Sequence, residues 1–241
     1  ATWNYEHLLS SQTSLRVKWV GSVLQHKSVS SEDEELIIQL LRPMNCFPIF
    51  VKPHTHNNFY DVFCKQKLWP VFHHNVGLYD SSRETTSSVN SEHSDKNLWF
   101  TYTTVNHQFR TKVVEVYSEG DLIWIHGFHL LLLPSFLRRR IQHAKIGLFL
   151  HTPFPSSEIW KTIWCREDLL RGMLAADQLG FHLYEYARHF LTTCRRLLGT
   201  HYEMSASGFL TIKTGGREVR LSCIHAGVDV YHIRNQVLLP E

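Results

Sequence analysis

Six short stretches of this chain are apolar and continuous rather than alternating: VKWVGSV (17–23), CFPIFV (46–51), LIWIH (122–126), IGLFL (146–150), QLGFH (178–182) and VRLSCIH (219–225). Strands read this way when helices cover both faces of their sheet. Longer segments with helical periodicity lie between them. Ser30-Ser31-Glu32-Asp33-Glu34-Glu35 opens one, with hydroxyl caps and acids in its first turn, and it continues through LIIQLLR. Ser94 or Asp95 starts another, which carries FRTKVVEVY at helical spacing. LLLLPSFLRRR makes a third, whose Arg138, Arg139 and Arg140 suit the negative end of a helix dipole. YEYARHFLTTCRRLLG (184–199) stops at Gly199, and the segment after it reads as a meander turning at Ser207-Gly208 and Gly215-Gly216.

Strand–helix alternation of this kind predicts an α/β fold with a doubly wound, mostly parallel sheet and right-handed crossovers. FYDVFCKQKLWPVFHH (59–74) has the period of an amphipathic core helix followed by a short apolar segment. Residues 75–95 are polar and rich in Ser and Thr, as expected of a surface loop. Doubly wound sheets bind ligands beyond the carboxyl ends of their strands. His126, His151 and His182 stand at those ends.

Composition narrows the functional classes. A chain of 241 residues, 43% hydrophobic and 20% charged, fits one large globular domain. Its net charge of +3 is weak and its basic residues are scattered, which excludes nucleic acid as the main partner. Five cysteines, without C-x-x-C spacing, fit free thiols in a reducing compartment. No apolar run approaches the roughly 20 residues that span a bilayer. With no signal-peptide pattern and Ala1 in place of Met, the expectation is a cytoplasmic protein or a piece of one.

Seventeen histidines raise the question of a metal, but His54-x-His56, His73-His74 and His126-x-x-His129 lack the Glu or Cys partners of a zinc motif. No G-x-G-x-x-G is present for a nicotinamide dinucleotide. In WIHGFHLLLLP (124–134), Gly127 permits a tight turn after the strand. On the residues alone that turn is either purely structural or part of a site. In LHTPFPSSEIW (150–160), His151 ends a strand, Pro153 and Pro155 stiffen the turn, and Ser156 or Ser157 caps the next helix. Phe59, Phe63 and Phe72 read as core. Tyr60 and Trp69 each offer a flat face and a polar handle suited to a sugar.

These segments, in order, resemble trehalose-6-phosphate synthases of glycosyltransferase family 20. The segments that carry the resemblance are FYDVFCKQKLWPVFHH, WIHGFHLLLLPSFLRRR, IGLFLHTPFPSSEIWKTI and REDLLRGMLAADQLGFHLYEYARHFLTTCRRLLG. FCKQ-LWP, PFPSSEI and YARHFL are most similar to the plant-type two-part synthase–phosphatase proteins. The resemblance covers about residues 15–228. It implies the N-terminal, Rossmann-like half of a two-domain GT-B enzyme, spanning residues 1–241. A UDP-glucose domain and a phosphatase domain would lie beyond this chain. The implied reaction is retaining transfer of glucose from UDP-glucose to glucose 6-phosphate, giving trehalose 6-phosphate with no metal or organic cofactor.

Position by position, Tyr60 and Trp69 match aromatic contacts to the acceptor sugar phosphate, and Trp19 in K-W-V-G matches an acceptor-site tryptophan. His151 matches the histidine that reaches the donor glucose at the reaction centre, and His182 stands where bacterial relatives have a glutamine. Two departures count against full activity. Gly127 replaces the aspartate of W-[IV]-H-D-[FY]-H-L, and the family's S-N-R-L-P segment has no match before Leu15. The resemblance therefore implies either an active synthase domain, inert as an isolated fragment, or a catalytically weak regulatory or scaffold relative that binds a sugar phosphate. Partners expected from it are glucose 6-phosphate, UDP-glucose through the absent domain, and a second copy or other synthase subunits. Nucleic acid and membranes are not among them.

Overall fold

The computed structural model describes residues 16–23, 28–75, 88–205 and 208–225, with Val230, Arg234 and Val237 beyond them. Its strands fall where the apolar runs predicted. β1 (Trp19–Ser22) and β2 (Cys46–Ile49) pair in parallel as a two-stranded sheet, joined through α1 (Ser31–Leu41). Ser30 caps α1 as expected, its side chain accepting the Asp33 N–H at 3.2 Å.

The main sheet has six strands. β3 (Leu122–His126), β4 (Lys145–Leu150), β5 (Gln178–Phe181) and β8 (Arg217–Cys223) run parallel. β7 (Leu210–Thr214) and β6 (His201–Met204) complete it antiparallel, in the order β3-β4-β5-β8-β7-β6. The turn between β7 and β8 falls at Gly215-Gly216, both with positive φ, as the meander required. Ser207 lies outside the described residues.

Helices lie against one face of this sheet. α4 (Ser88–Val116) packs against β1 and β2 of the small sheet and against α5 (Leu133–Arg138), the helix that follows β3. It buries Leu98, Tyr102, Val105, Phe109 and Val113, a stripe at helical spacing. α4 begins at Ser88, earlier than the Ser94 or Asp95 expected, so part of the polar 75–95 segment is helical. Residues 76–87 of that segment lie outside the described residues. α6 (Ser157–Trp160) packs against α8 (Tyr184–Leu198), and α7 (Arg166–Met173) against α5 and α8. α8 ends in Gly199 at φ 66°, the left-handed stop its sequence announced.

Strands added in one direction with right-handed crossovers place their helices on one side. The opposite face of the main sheet, lined by Trp124, Gly147, Phe149, Gly180, Ser222 and Ile224, opens as a trough of about 690 Å³.

Pro53–Phe72 is one helical run: α2 (Pro53–His56), a π-helix (Asn57–Leu68) and α3 (Trp69–Phe72). Its buried positions fall at Phe59, at Phe63 and Cys64, at Leu68 and at Phe72, one or two side chains every four to five residues. That spacing exceeds the 3.6 of an α-helix, and the wider i→i+5 winding keeps those side chains on one side. All five cysteines are free, with Cys64, Cys165 and Cys194 buried. Among the described residues no helix is long and apolar enough to cross a membrane.

Candidate functional site

The carboxyl ends of β3, β4 and β5 bring three histidines together. Register pairs His126 with Phe149, so His151 emerges two residues beyond the level of His126. His126 Nδ1 lies 2.9 Å from His151 Nε2, and the ring centroids of His151 and His182 are 5.4 Å apart. One imidazole of the first pair donates and the other accepts, which requires at least one neutral ring. Burial pushes His126 and His151 down to about 4, with the charges of His126 and His182 adding to the effect on His151. His182 is also lowered, first by burial and then by His225. Phe149 lies across Gly180, where a Cβ would collide with its ring, and touches His151 at 4.6 Å and His182 at 5.0 Å between centroids. Gly180 thus seats the aromatic floor under the two histidines.

The loop after His151 is anchored from below. Phe154 is fully buried among Phe72, Trp160, Phe181 and Phe190, and its carbonyl accepts from the His189 ring at 3.0 Å. Ser156 occupies the N-cap position of α6, but its hydroxyl makes no capping bond. Ser157 instead accepts Arg196 at 2.8 Å, and Arg196 also pairs with Glu158. The loop is thereby tied to α8 rather than capped locally.

The turn after β3 links the histidines to the aromatic residues. Gly127 has φ 77° and ψ −179°, a conformation close to glycine-only, and its N–H donates to Phe149 O at 2.8 Å. Residues 128–130 form a short 3₁₀ turn. His129 stacks on Tyr60 with ring centroids 5.4 Å apart and planes at 20°. Phe128 bridges to Trp69 at 5.8 Å, and Trp69 stacks on His73 at 3.7 Å. Trp69 is 41% exposed, so one part of its ring is open to a ligand.

Tyr60, Trp69 and Gly127 therefore converge on one turn, which begins directly after His126, the partner of His151. Trp19 does not join them. It opens β1 of the two-stranded sheet, with its N–H bonded to Asn45 O, and no described contact ties its ring to this group.

Several contributors escaped the sequence reading. Tyr102 OH donates to Phe128 O at 3.1 Å and accepts the Leu131 N–H at 3.0 Å. Asn106 Nδ2 donates to His129 O at 3.2 Å. Both are fully buried in the apolar stripe of α4, one turn apart. The available signal was that i, i+4 interruption of an otherwise hydrophobic face. Among the described residues, no three His, Cys, Asp or Glu side chains are arranged to hold a metal ion.

An open α/β sheet whose polar side chains gather at the carboxyl ends of its parallel strands is a Rossmann-like ligand-binding domain. The chain belongs to glycosyltransferase family 20, whose sequence profile matches residues 2–241. It is 42% identical over 225 residues to a probable α,α-trehalose-phosphate synthase [UDP-forming] of Arabidopsis thaliana, covering 93% of this chain and 25% of the relative. The chain thus spans about a quarter of the length of the curated relatives it matches. Among solved structures it is similar to the N-terminal domain of a Candida albicans trehalose-6-phosphate phosphatase, with TM-score 0.78, 28% identity, and coverage of 98% and 47%. A Burkholderia xenovorans α,α-trehalose-phosphate synthase in complex with glucose-6-phosphate shares the fold at TM-score 0.66 and 23% identity, with coverage of 88% and 43%.

Proposed function

We propose that this chain is the acceptor half of a retaining glycosyltransferase. It would hold glucose 6-phosphate while a second domain presents UDP-glucose, in the synthesis of trehalose 6-phosphate. The supporting observation is the convergence of Tyr60, Trp69 and the Gly127 turn with the His126–His151 pair at one sheet edge. The named activity of the relatives and the glucose-6-phosphate complex of the Burkholderia protein agree with that chemistry.

In such a transfer the acceptor hydroxyl must be held on the face from which UDP departs, so orientation supplies much of the rate. Tyr60 and Trp69 form the flat wall of the acceptor site. His151, neutral at pH 7 and oriented by His126, supplies a hydrogen bond to the donor sugar. Support for the leaving diphosphate belongs to the second domain. Residues 1–241 alone are therefore expected to release no UDP from UDP-glucose and glucose 6-phosphate in a coupled assay. Buried free thiols support a cytoplasmic setting, and exposed Met204, Phe209 and Ile224 support packing against a further domain, a second copy or a synthase subunit.

The direct test is a calorimetric titration with glucose 6-phosphate. Saturable binding is expected, and it should weaken at least about tenfold in Tyr60→Phe, Trp69→Ala, the loss of about 1.4 kcal/mol. A double variant that binds like the parent would remove these residues from the site.

A second reading, a weak regulatory or scaffold relative, is favoured by Gly127. Its φ of 77° is strained for any residue with a side chain. Restoring the family carboxylate by Gly127→Asp is therefore expected to cost about 1–3 kcal/mol of folding stability in a denaturant titration. A stable variant with gained affinity would instead favour an active synthase domain.

A further inference from the structure

Tyr60 has two hydrogen-bonding neighbours to which the reading above gives no task. Lys65 Nζ lies 4.4 Å from the Tyr60 ring centroid. Its nearest carboxylate, Asp61, is 3.7 Å away, and both side chains are about half exposed, so the pair is loose. His129, stacked beside the same ring, has its Nδ1 3.4 Å from where a side chain at Gly127 would begin. The imidazole thus borders the space that glycine leaves open.

The position of His129 is enforced from α4. Tyr102 and Asn106 are each 0% exposed; the Tyr102 hydroxyl serves Phe128 O and the Leu131 N–H, and Asn106 Nδ2 donates to His129 O and to Tyr102 O, while Asn106 Oδ1 is buried without a hydrogen-bond partner. Burying a hydroxyl and an amide away from water is costly unless they are paired, and the hydroxyl and the amide nitrogen find partners on the backbone of one short turn. A turn held at both ends by buried side chains keeps the ring in place before any ligand arrives, which lowers the ordering cost of binding. Burial, with the Lys65 charge adding to it, pushes His129 down to about 4. At neutral pH the ring is therefore a hydrogen-bonding group without charge, and the cation beside Tyr60 is Lys65.

We propose that Lys65 and His129 are specificity-determining residues of this same site: Lys65 pairs with the phosphate, and His129 hydrogen-bonds a hydroxyl, of the sugar phosphate laid against Tyr60. The inference rests on the sugar-phosphate reading and adds how the phosphorylated sugar is told from the free one. A mobile ammonium meets a phosphate as a point charge, whereas a fixed neutral imidazole suits a hydroxyl of defined position.

The test titrates glucose 6-phosphate and glucose separately into the parent chain, Lys65→Gln and His129→Phe at pH 7.5, with a thermal melt of each. Lys65→Gln should weaken glucose 6-phosphate about tenfold while leaving glucose unaltered, a change in selectivity that a structural role would not produce. His129→Phe keeps an aromatic ring against Tyr60 and should weaken both ligands about tenfold. If His129→Phe does not fold, His129→Gln takes its place and should retain part of the affinity for both. A parent chain that binds while these variants bind equally well overturns the inference and leaves the sugar-phosphate reading standing. A folded parent chain that binds neither ligand overturns both.

Discussion

Lowering the pH from 6.5 to 4 is expected to destabilise this domain by on the order of 5 kcal/mol, a large share of what holds a domain folded. The source is His126, His129 and His151, each pushed by burial from an ordinary 6.5 to about 4. Lys65 adds to the shift at His129, and His126 and His182 add at His151. The sign follows from proton counting. Between the folded and unfolded values the unfolded chain binds protons that the folded chain refuses, so acid favours unfolding. The contribution of these three rings is full above 6.5, falls through the window, and levels off below about 4. His129 alone contributes about 3 kcal/mol, and the hydrogen-bonded His126–His151 pair, which keeps some contact with solvent, contributes less than two separate rings would. Urea titrations at half-unit steps of pH would show a midpoint that declines from pH 6.5 to 4. A midpoint constant over that range would mean the three rings are not buried as described. Sugar binding should fade over the same interval, because these groups line the candidate site.

How the chain reaches this arrangement was partly legible in its residues. Continuous apolar runs marked the parallel strands as if helices covered both faces of the sheet, whereas burial alternates along them: β4 buries Ile146, Leu148 and Leu150 and turns Gly147 and Phe149 to the open trough. Placing His126, His151 and His182 at strand ends followed from those runs, and parallel register then forces them side by side. Gly127 could be read as a tight turn, and its φ of 77° bears that out. Other features depend on contacts distant in sequence. The π-helical winding of Asn57–Leu68 comes from fitting Phe59, Phe63 and Leu68 against α4, whose Tyr102 stacks on Phe59 at 5.8 Å and lies 4.8 Å from Phe63. Nothing local to 57–68 specifies it. The separation of β1 and β2 from the main sheet depends on pairings that no single strand encodes. Tyr102 and Asn106 looked like ordinary members of a long helix until their partners, 23 to 29 residues further along, were in place. The separation of Trp19 from the acceptor group is of the same kind: a short motif fixed its strand but not that strand's neighbours.

Trp160→Ala is expected to cost about 4 kcal/mol, the largest effect of any single truncation near the site. Trp160 is fully buried, packs on Phe154 at 4.8 Å and Phe72 at 5.5 Å, and donates from Nε1 to Arg166 O at 3.3 Å. Removing the indole opens a cavity and leaves a carbonyl unpaired, so transfer, packing and hydrogen-bond losses add. The consequence reaches the ligand site because Phe154 anchors the loop that carries His151. Phe72 ends the helical run that carries Tyr60 and Trp69, so one cavity would loosen both walls at once. Trp164, four residues away, serves as the control. It is 47% exposed with an edge-on contact to Trp99, and Trp164→Ala should change stability by no more than about 0.5–1 kcal/mol. Chemical denaturation of the two variants beside the parent decides the matter. Equal losses would mean that the aromatic cluster under the His151 loop is not the keystone of this domain. A large loss confined to Trp160→Ala, with weaker glucose 6-phosphate binding, would tie the stability of the core to the shape of the sugar site.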